Sequence, residues 1–207
     1  MIAEAVPTDA RQRRRRRAMR DMARAAVDLF AQQGFDATTV EQIAEASDYS
    51  ASTFFRAFPR KEDCVFFDLP ERLDVASKSV AEATNAGDWA AVRNSLLEHA
   101  RSWEGGDPDF ARARARLFHR EPALIARYLE HCNRWEDDLA ERILSSATRS
   151  LDRGAVYLAA GVVVTAYRTA FRLQVESGGA LDSLLDGALS RVEESGFIRD
   201  VFDPADA

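Results

Sequence analysis

Five consecutive arginines, Arg13 to Arg17, stand just ahead of an amphipathic stretch, and within residues 11–24 eight arginines face one acid, Asp21. Guanidinium groups are planar forks that match phosphate oxygens, so such a cluster suits a polyanion. Yet the chain that carries it is acidic, with a formal net charge of −6. The asymmetry is local: residues 1–63 hold 11 Lys/Arg against 10 Asp/Glu, whereas residues 64–207 hold 17 against 24. A second group follows at Ser50-Ala51-Ser52-Thr53, with Arg56 and Lys61 beyond it. Small hydroxyl residues at the start of a short helix can approach phosphates or base edges. Ala51 can meet a thymine methyl, and Arg56 can reach guanine or phosphate. Thr38 and Thr39 add hydroxyls and helix-start N–H groups that suit a phosphate backbone.

These residues must be held by helices. Apolar residues recur at three- and four-residue steps nearly throughout, and no stretch alternates with period two between hairpin turns, so the chain is expected to be all-α. Met19, Met22, Ala26, Val27 and Phe30 predict a first helix from Arg13 to Gln33, closed by Gly34 as a left-handed cap. Thr38 with Glu41 fits a capping box for the next helix, and Thr39 with Gln42 is the alternative register. Val40, Ile43 and Ala44 give that helix its buried face. After a break at Asp48-Tyr49-Ser50, Phe54 and Phe58 mark a third, so the pattern is a helix-turn-helix. Beyond it, helices are expected at 62–83 (disturbed at Pro70), 88–104, 108–120, 122–149, 153–177 and 180–195. On the helix at 122–149, Leu124, Tyr128, Cys132, Trp135, Leu139 and Ile143 form one continuous apolar stripe.

Residues 18 to 66, and within them "AAVDLFAQQGFDATTVEQIAEASDYSASTFFRAFPRKED", resemble the DNA-binding domain of the TetR family of transcriptional regulators. The resemblance implies a second helix at Thr39–Ala46, a recognition helix at Ala51–Ala57, and a phosphate contact at Lys61. DNA contacts are expected from Arg14, Arg15, Arg16, Arg17, Thr38, Thr39, Ser50, Ala51, Ser52, Thr53, Phe55, Arg56 and Lys61. Two positions depart from the family pattern. Phe55 replaces the usual tyrosine and loses a hydroxyl for phosphate, and Ala57 stands where histidine or tyrosine is frequent. The arginines can compensate by tracking phosphates or entering a narrow minor groove. The expected division is a basic flexible arm at 1–17, a helix-turn-helix domain at 18–63 and a helical bundle at 64–207.

The resemblance also implies that the bundle binds a small ligand and forms a homodimer. Ala159, Val162, Val163 and Ala166 offer a small, flat apolar face for a partner copy, with Leu185 and Leu189 on the last helix. Phe66, Trp103, Phe110, Phe118, Tyr128, Trp135 and Phe171 are the candidates for lining a ligand pocket, with Trp89 as a further large side chain. "TFFRAFPRKED", together with "RARARLFHREPALIARYL" and "RWEDDLAERI", resembles a branch of actinobacterial regulators, the mycofactocin-type regulator among them, associated with acyl-CoA effectors. Arg112, Arg116 and Arg120 step along one helix face, where they either meet an anionic head group or pair with acids such as Glu121 and Asp138.

Other function classes find little support. His99, His119 and His131 sit on three expected helices, with no HxxxH or CxxC spacing for a metal. No phosphate-binding glycine loop and no nucleophile elbow occurs, so neither an enzyme nor a cofactor is expected. Cys64 and Cys132 read as reduced core thiols. The opening "MIAEAVPTDA" has no apolar segment, and the longest uncharged apolar run, Gly154 to Tyr167, has 14 residues, short of the roughly 20 that span a bilayer. A cytoplasmic protein without a membrane partner is therefore expected. The combined expectation is a homodimeric repressor that reads a palindromic double-stranded DNA operator and is released by a small apolar or amphipathic effector. Its rivals are a ligand-binding or protein-interaction module that no longer reads DNA, which Phe55 favours, and a helical enzyme on an acyl substrate.

Overall fold

The computed structural model describes residues 10–85, 87, 89–104 and 107–194, and every regular element among them is helical. In chain order these are α1 (Ala10–Gln33), α2 (Val40–Ala46), α3 (Ala51–Ala57), a short 3-10 helix (Lys61–Phe66), α4 (Leu69–Asn85), α5 (Trp89–Glu104), α6 (Pro108–Phe118), α7 (Pro122–Ser146), α8 (Arg153–Ser177) and α9 (Leu181–Glu194). They form two compact units. One comprises the described part of Met1–Asp68 with Asp109–Tyr128; the other comprises the described parts of Leu69–Pro108 and Leu129–Ala207. A single cut after residue 63 does not separate them, because α6 and the head of α7 belong with the helix-turn-helix.

In the first unit α1 buries Met22, Ala23, Ala26, Val27 and Phe30. Ile43 and Ala44 of α2, Phe54 of α3 and Phe58 complete this core. Gly34 follows with φ +88°, the left-handed conformation that lets the chain turn back at low cost. Phe35 then meets Phe30 with ring centres 5.0 Å apart. At the other side Phe66 lies 5.7 Å from Phe118, which stacks on Tyr128 at 4.8 Å. Two ion pairs tie these pieces together: Arg114 to Asp68 and Arg127 to Asp63, both at 2.6 Å.

Four expected boundaries differ. The helix expected from residue 62 is a 3-10 turn followed by a separate helix from Leu69. Pro70 lies in the first turn of α4, where its missing N–H costs nothing. The helices expected to reach 120 and 149 end at Phe118 and Ser146. The basic segment expected as a flexible arm is helical from Ala10 onward, and residues 1–9 lie outside the described residues.

In the second unit α4 packs on α5, and α9 packs on both α5 and α8. Trp135 Nε1 donates to Ser77 Oγ at 3.1 Å, and the Tyr167 hydroxyl donates to the Leu96 carbonyl at 2.6 Å, so the buried polar tips of both aromatics are satisfied. Asp152 caps α8 by accepting from the Ala155 N–H, and Gly178 at φ +78° ends it. By length and composition α8 could cross a membrane, but half of its most apolar window is buried inside the protein, as in a core helix.

Candidate nucleic-acid interface

The recognition element is short and built by its own side chains. Ser50 is the N-cap of α3 and accepts from the Thr53 N–H at 3.2 Å. The Ser50 and Thr53 hydroxyls are 2.9 Å apart, and Arg56 donates to Thr53 Oγ1 at 3.1 Å. This chain of contacts holds the Arg56 guanidinium along α3 while leaving it other donors. Phe54 and Phe58 point inward and anchor the helix. Ser52, Phe55 and Arg56 are exposed, with Phe55 at 54%. The outward face is therefore a polar start, an aromatic ring and a guanidinium, with Ala51 and Thr53 partly covered beside them.

The turn before α3 depends on Asp48, whose φ is +60°. Short polar residues tolerate that conformation better than most. The turn also allows the Tyr49 hydroxyl to donate to Asp21 Oδ2 on α1 at 3.3 Å. Burial and the neighbouring Asp21 charge raise the Tyr49 phenol above its ordinary value, so it stays a neutral donor. Asp21 also faces Arg17 across 3.9 Å. Arg14, Arg15 and Arg17 line a cleft of about 640 Å³ together with Ser47, Asp48 and Tyr49.

At α2 the structure selects one capping register. The Thr39 N–H donates to Gln42 Oε1 at 2.9 Å and the Gln42 N–H donates to Thr39 Oγ1 at 3.2 Å. One expected contact needs correction here, and a second residue is engaged by the fold as well. Thr38 is 1% exposed, and its hydroxyl donates to the Gly34 carbonyl at 2.7 Å, so it shapes the turn rather than facing DNA. Lys61 donates to the carbonyls of Phe35 and Thr38 at 2.7 and 2.9 Å and stands 4.0 Å over the Phe35 ring. Two of its ammonium donors are thus engaged at the α1–α2 turn.

The candidate ligand residues divide between the units. Phe66, Phe118 and Tyr128 cluster in the first, where Phe110 also meets Arg24 at 5.1 Å and Arg114 at 5.6 Å. Trp103 meets Phe171 at 5.0 Å in the second, and Trp135 meets Tyr167 at 5.1 Å. His99 stands edge-on to Tyr167, and burial, with Arg72 nearby, lowers its imidazole to about 4. It is therefore neutral at physiological pH. Arg112 of the suspected arginine row pairs with Asp109 at 2.7 Å. Among the described residues, no group of three His, Cys, Asp or Glu is placed to hold a metal ion.

The expected dimer face also needs correction. Ala159, Val163, Leu185 and Leu189 are fully buried within the single chain and Ala166 nearly so. They hold the unit's own core and are not available to a partner. Of the six, only Val162 is partly exposed, and it lies at the edge of the buried stripe of α8 beside Leu158, 56% exposed, and Leu173, 38% exposed.

Comparisons with known proteins agree on both halves of the chain. Residues 23–66 match the model for bacterial regulatory proteins of the tetR family, and residues 87–196 match that for the MftR C-terminal domain. The HTH-type transcriptional regulator TcmR of Streptomyces glaucescens is 34% identical over 169 residues, which cover 75% of this chain and 74% of TcmR. Among solved structures, the Thermus thermophilus repressor FadR in complex with lauroyl-CoA aligns with a TM-score of 0.54 at 22% identity, over 91% of this chain and 99% of that one. A SmeT–triclosan complex aligns with a TM-score of 0.59 at 15% identity, over 86% and 91%. At these identities the structural likeness speaks for the fold alone.

Proposed function

The chain belongs to the TetR family of bacterial regulatory proteins, and on that premise we propose that it is a cytoplasmic homodimeric repressor that two copies of α3 dock on a palindromic operator. The observation that carries the reading is the outward face of α3, with Phe54 and Phe58 anchored inward and Ser52, Phe55 and Arg56 presented together. A helix of this kind reads base edges in the major groove, and the dimer sets the spacing of the half-sites. Thr39, Ser50 and the α1 arginines supply phosphate contacts, while Thr38 and Lys61 support them from inside. The Phe55 departure favours a changed contact rather than a lost one, because an exposed ring suits a thymine methyl.

Dimerisation would use the face of α8 that the protomer leaves open, carrying Leu158, Val162 and Leu173. An apolar or amphipathic effector would bind in the second unit, against the aromatic pairs Trp103–Phe171 and Trp135–Tyr167. An acyl-CoA is the first candidate, since the FadR structure holds lauroyl-CoA. Release follows if the effector favours the arrangement that DNA disfavours, and the two affinities must then change by the same factor.

The test is selection of bound duplexes from a random pool with the full chain at roughly physiological salt, followed by titration of the enriched duplex with lauroyl-CoA. An enriched palindrome supports the regulator. No enrichment with protein cleared of co-purified ligand refutes it. A palindrome whose affinity lauroyl-CoA leaves unchanged while binding the protein tightly refutes the proposed effector alone.

A further inference from the structure

The cleft between α1 and the turn ahead of α3 has a shape that the arginine run alone does not disclose. Its walls are Arg14, Arg15, Arg17, Ala18 and Asp21 of α1 on one side and Ser47, Asp48 and Tyr49 on the other, and it opens about 640 Å³. Residues 47–49 lead directly into Ser50 and the recognition helix, so whatever occupies the cleft lies beside the helix that reads bases. The Tyr49–Asp21 hydrogen bond ties the two walls together, while Asp21 faces Arg17 one turn away on α1 itself. The arginines therefore act from a fixed helix rather than from a loose arm.

We propose that this cleft is a docking site for a DNA phosphodiester backbone, gripping the operator without reading its sequence. The inference rests on the DNA-reading function proposed above. A helix with side chains is about 10–12 Å across, whereas the minor groove of B-DNA is about 6 Å wide. Arg14, Arg15 and Arg17, carried on continuous helix from Ala10, cannot thread that groove as an extended arm would. The guanidinium forks match phosphate oxygens, and the cleft has far more room than one phosphate group needs, as a run of backbone requires. Ser47 spends its hydroxyl on the carbonyls of Ile43 and Ala44 at 2.7 and 3.1 Å, so the charge-bearing wall is that of the arginines. Asp48 is the one wall residue that opposes an anion without holding the walls together.

The test uses the full chain, the duplex enriched from the random pool and a second duplex of unrelated sequence, each titrated with salt. Arg14→Ala with Arg15→Ala removes two cleft charges; Arg13→Ala with Arg16→Ala removes two that do not line the cleft. The cleft pair is expected to flatten the slope of log affinity against log salt by about 3.6 on both duplexes, since the two protomers of the dimer lose four phosphate contacts and each removes about 0.9, and to leave the ratio between duplexes unchanged. The other pair should lose less than half as much slope. Asp48→Asn keeps a residue suited to φ +60° and removes the opposing acid, so it should tighten both duplexes several-fold. Asp28→Asn, away from the cleft, should change them less than twofold. Because this arm predicts a gain, misfolding cannot mimic it. Equal slope losses from the two pairs would overturn the site in favour of diffuse charge, as would an Asp48→Asn variant without gain. A change in the enriched sequence would overturn its indifference to bases. Displacement of DNA by inorganic phosphate at constant ionic strength would make it a free-anion site and also overturn it. If no duplex is enriched, the proposed regulator fails, while the unrelated duplex still judges the cleft.

Discussion

Arg114 Nη1 donates to Asp68 Oδ1 at 2.6 Å, with the Arg114 side chain only 4% exposed. The guanidinium also lies 5.7 Å from the Phe67 ring and 5.6 Å from that of Phe110. The pair joins α6 to the last residue before α4, inside the unit that carries the recognition helix. Removing one partner of a buried pair costs more than replacing both, because a stripped charge remains in the interior. Asp68→Ala should therefore lower unfolding free energy by about 3 kcal/mol. Asp68→Leu with Arg114→Met should lose clearly less. Urea denaturation of the three proteins checks this; an equal loss in both variants would contradict it.

His99 makes stability depend on pH in a defined window. Its folded value of about 4 lies below the ordinary 6.5, chiefly through burial. Above pH 6.5 the imidazole is neutral in both states, and the group contributes no dependence. Between pH 6.5 and 4 only the unfolded chain takes up the proton, so stability falls with the pH. At pH 5 the loss should be about 2 kcal/mol relative to pH 8. The comparison is between the natural chain and His99→Leu, whose unfolding should be flatter over that window; identical pH profiles would remove His99 from the account.

Phe55 exposes half of its ring on α3 while holding an edge contact with Phe54, ring centres 5.8 Å apart. An apolar ring in the major groove pairs with the thymine methyl. Replacing thymine by uracil at one position of the enriched duplex should weaken binding about fourfold, the ~0.8 kcal/mol of one buried methyl-sized group. Phe55→Ala should abolish that difference and Phe55→Tyr preserve it. Equal binding of thymine and uracil duplexes at every position would place the ring on the sugar backbone instead.

Lys61 and Thr39 should separate stability from affinity. Lys61→Met removes two charge-assisted hydrogen bonds to Phe35 and Thr38 and should cost roughly 2 kcal/mol of stability with an unchanged salt slope. Thr39→Ala breaks the capping box of α2 and should cost about 1 kcal/mol while also weakening DNA binding. Thermal unfolding and salt-titrated binding measured together decide both.

Much of this architecture was legible in the residues. Leu124, Tyr128, Cys132, Trp135, Leu139 and Ile143 are all buried along α7, and Ala51–Ala57 bounds α3. What escaped has physical reasons. Arginine is a good helix former, and a run of it can extend an existing helix without paying for a new nucleus, so α1 begins earlier than its apolar stripe. Thr38 and Thr39 are chemically alike, and only the positions of Gly34 and Gln42 decide which one is buried. The first half of α8 is apolar nearly all round, so periodicity could not tell the buried Ala159, Val163 and Ala166 from Leu158 and Val162 on the adjoining exposed flank. The ion pairs of Asp63 and Asp68 join residues 64 and 46 positions apart, a distance over which local patterning carries no signal.

The unit bearing α3 is discontinuous in the chain, closing only when Asp109–Tyr128 returns to Met1–Asp68. Phe66 has Phe118 and Tyr128 as neighbours, so the unit's interior stays unfinished while the intervening segment is made. At translation speeds of about 5–20 residues per second, the sixty or so residues between Asp68 and Tyr128 take roughly 3–12 s. The nascent N-terminal segment thus waits, with Phe66 uncovered, while Leu69–Pro108, the first part of the second unit, is synthesised. A head built this way closes only after the first helices of the second unit have been made, and a chain cut short before Tyr128 would carry a head that had never closed.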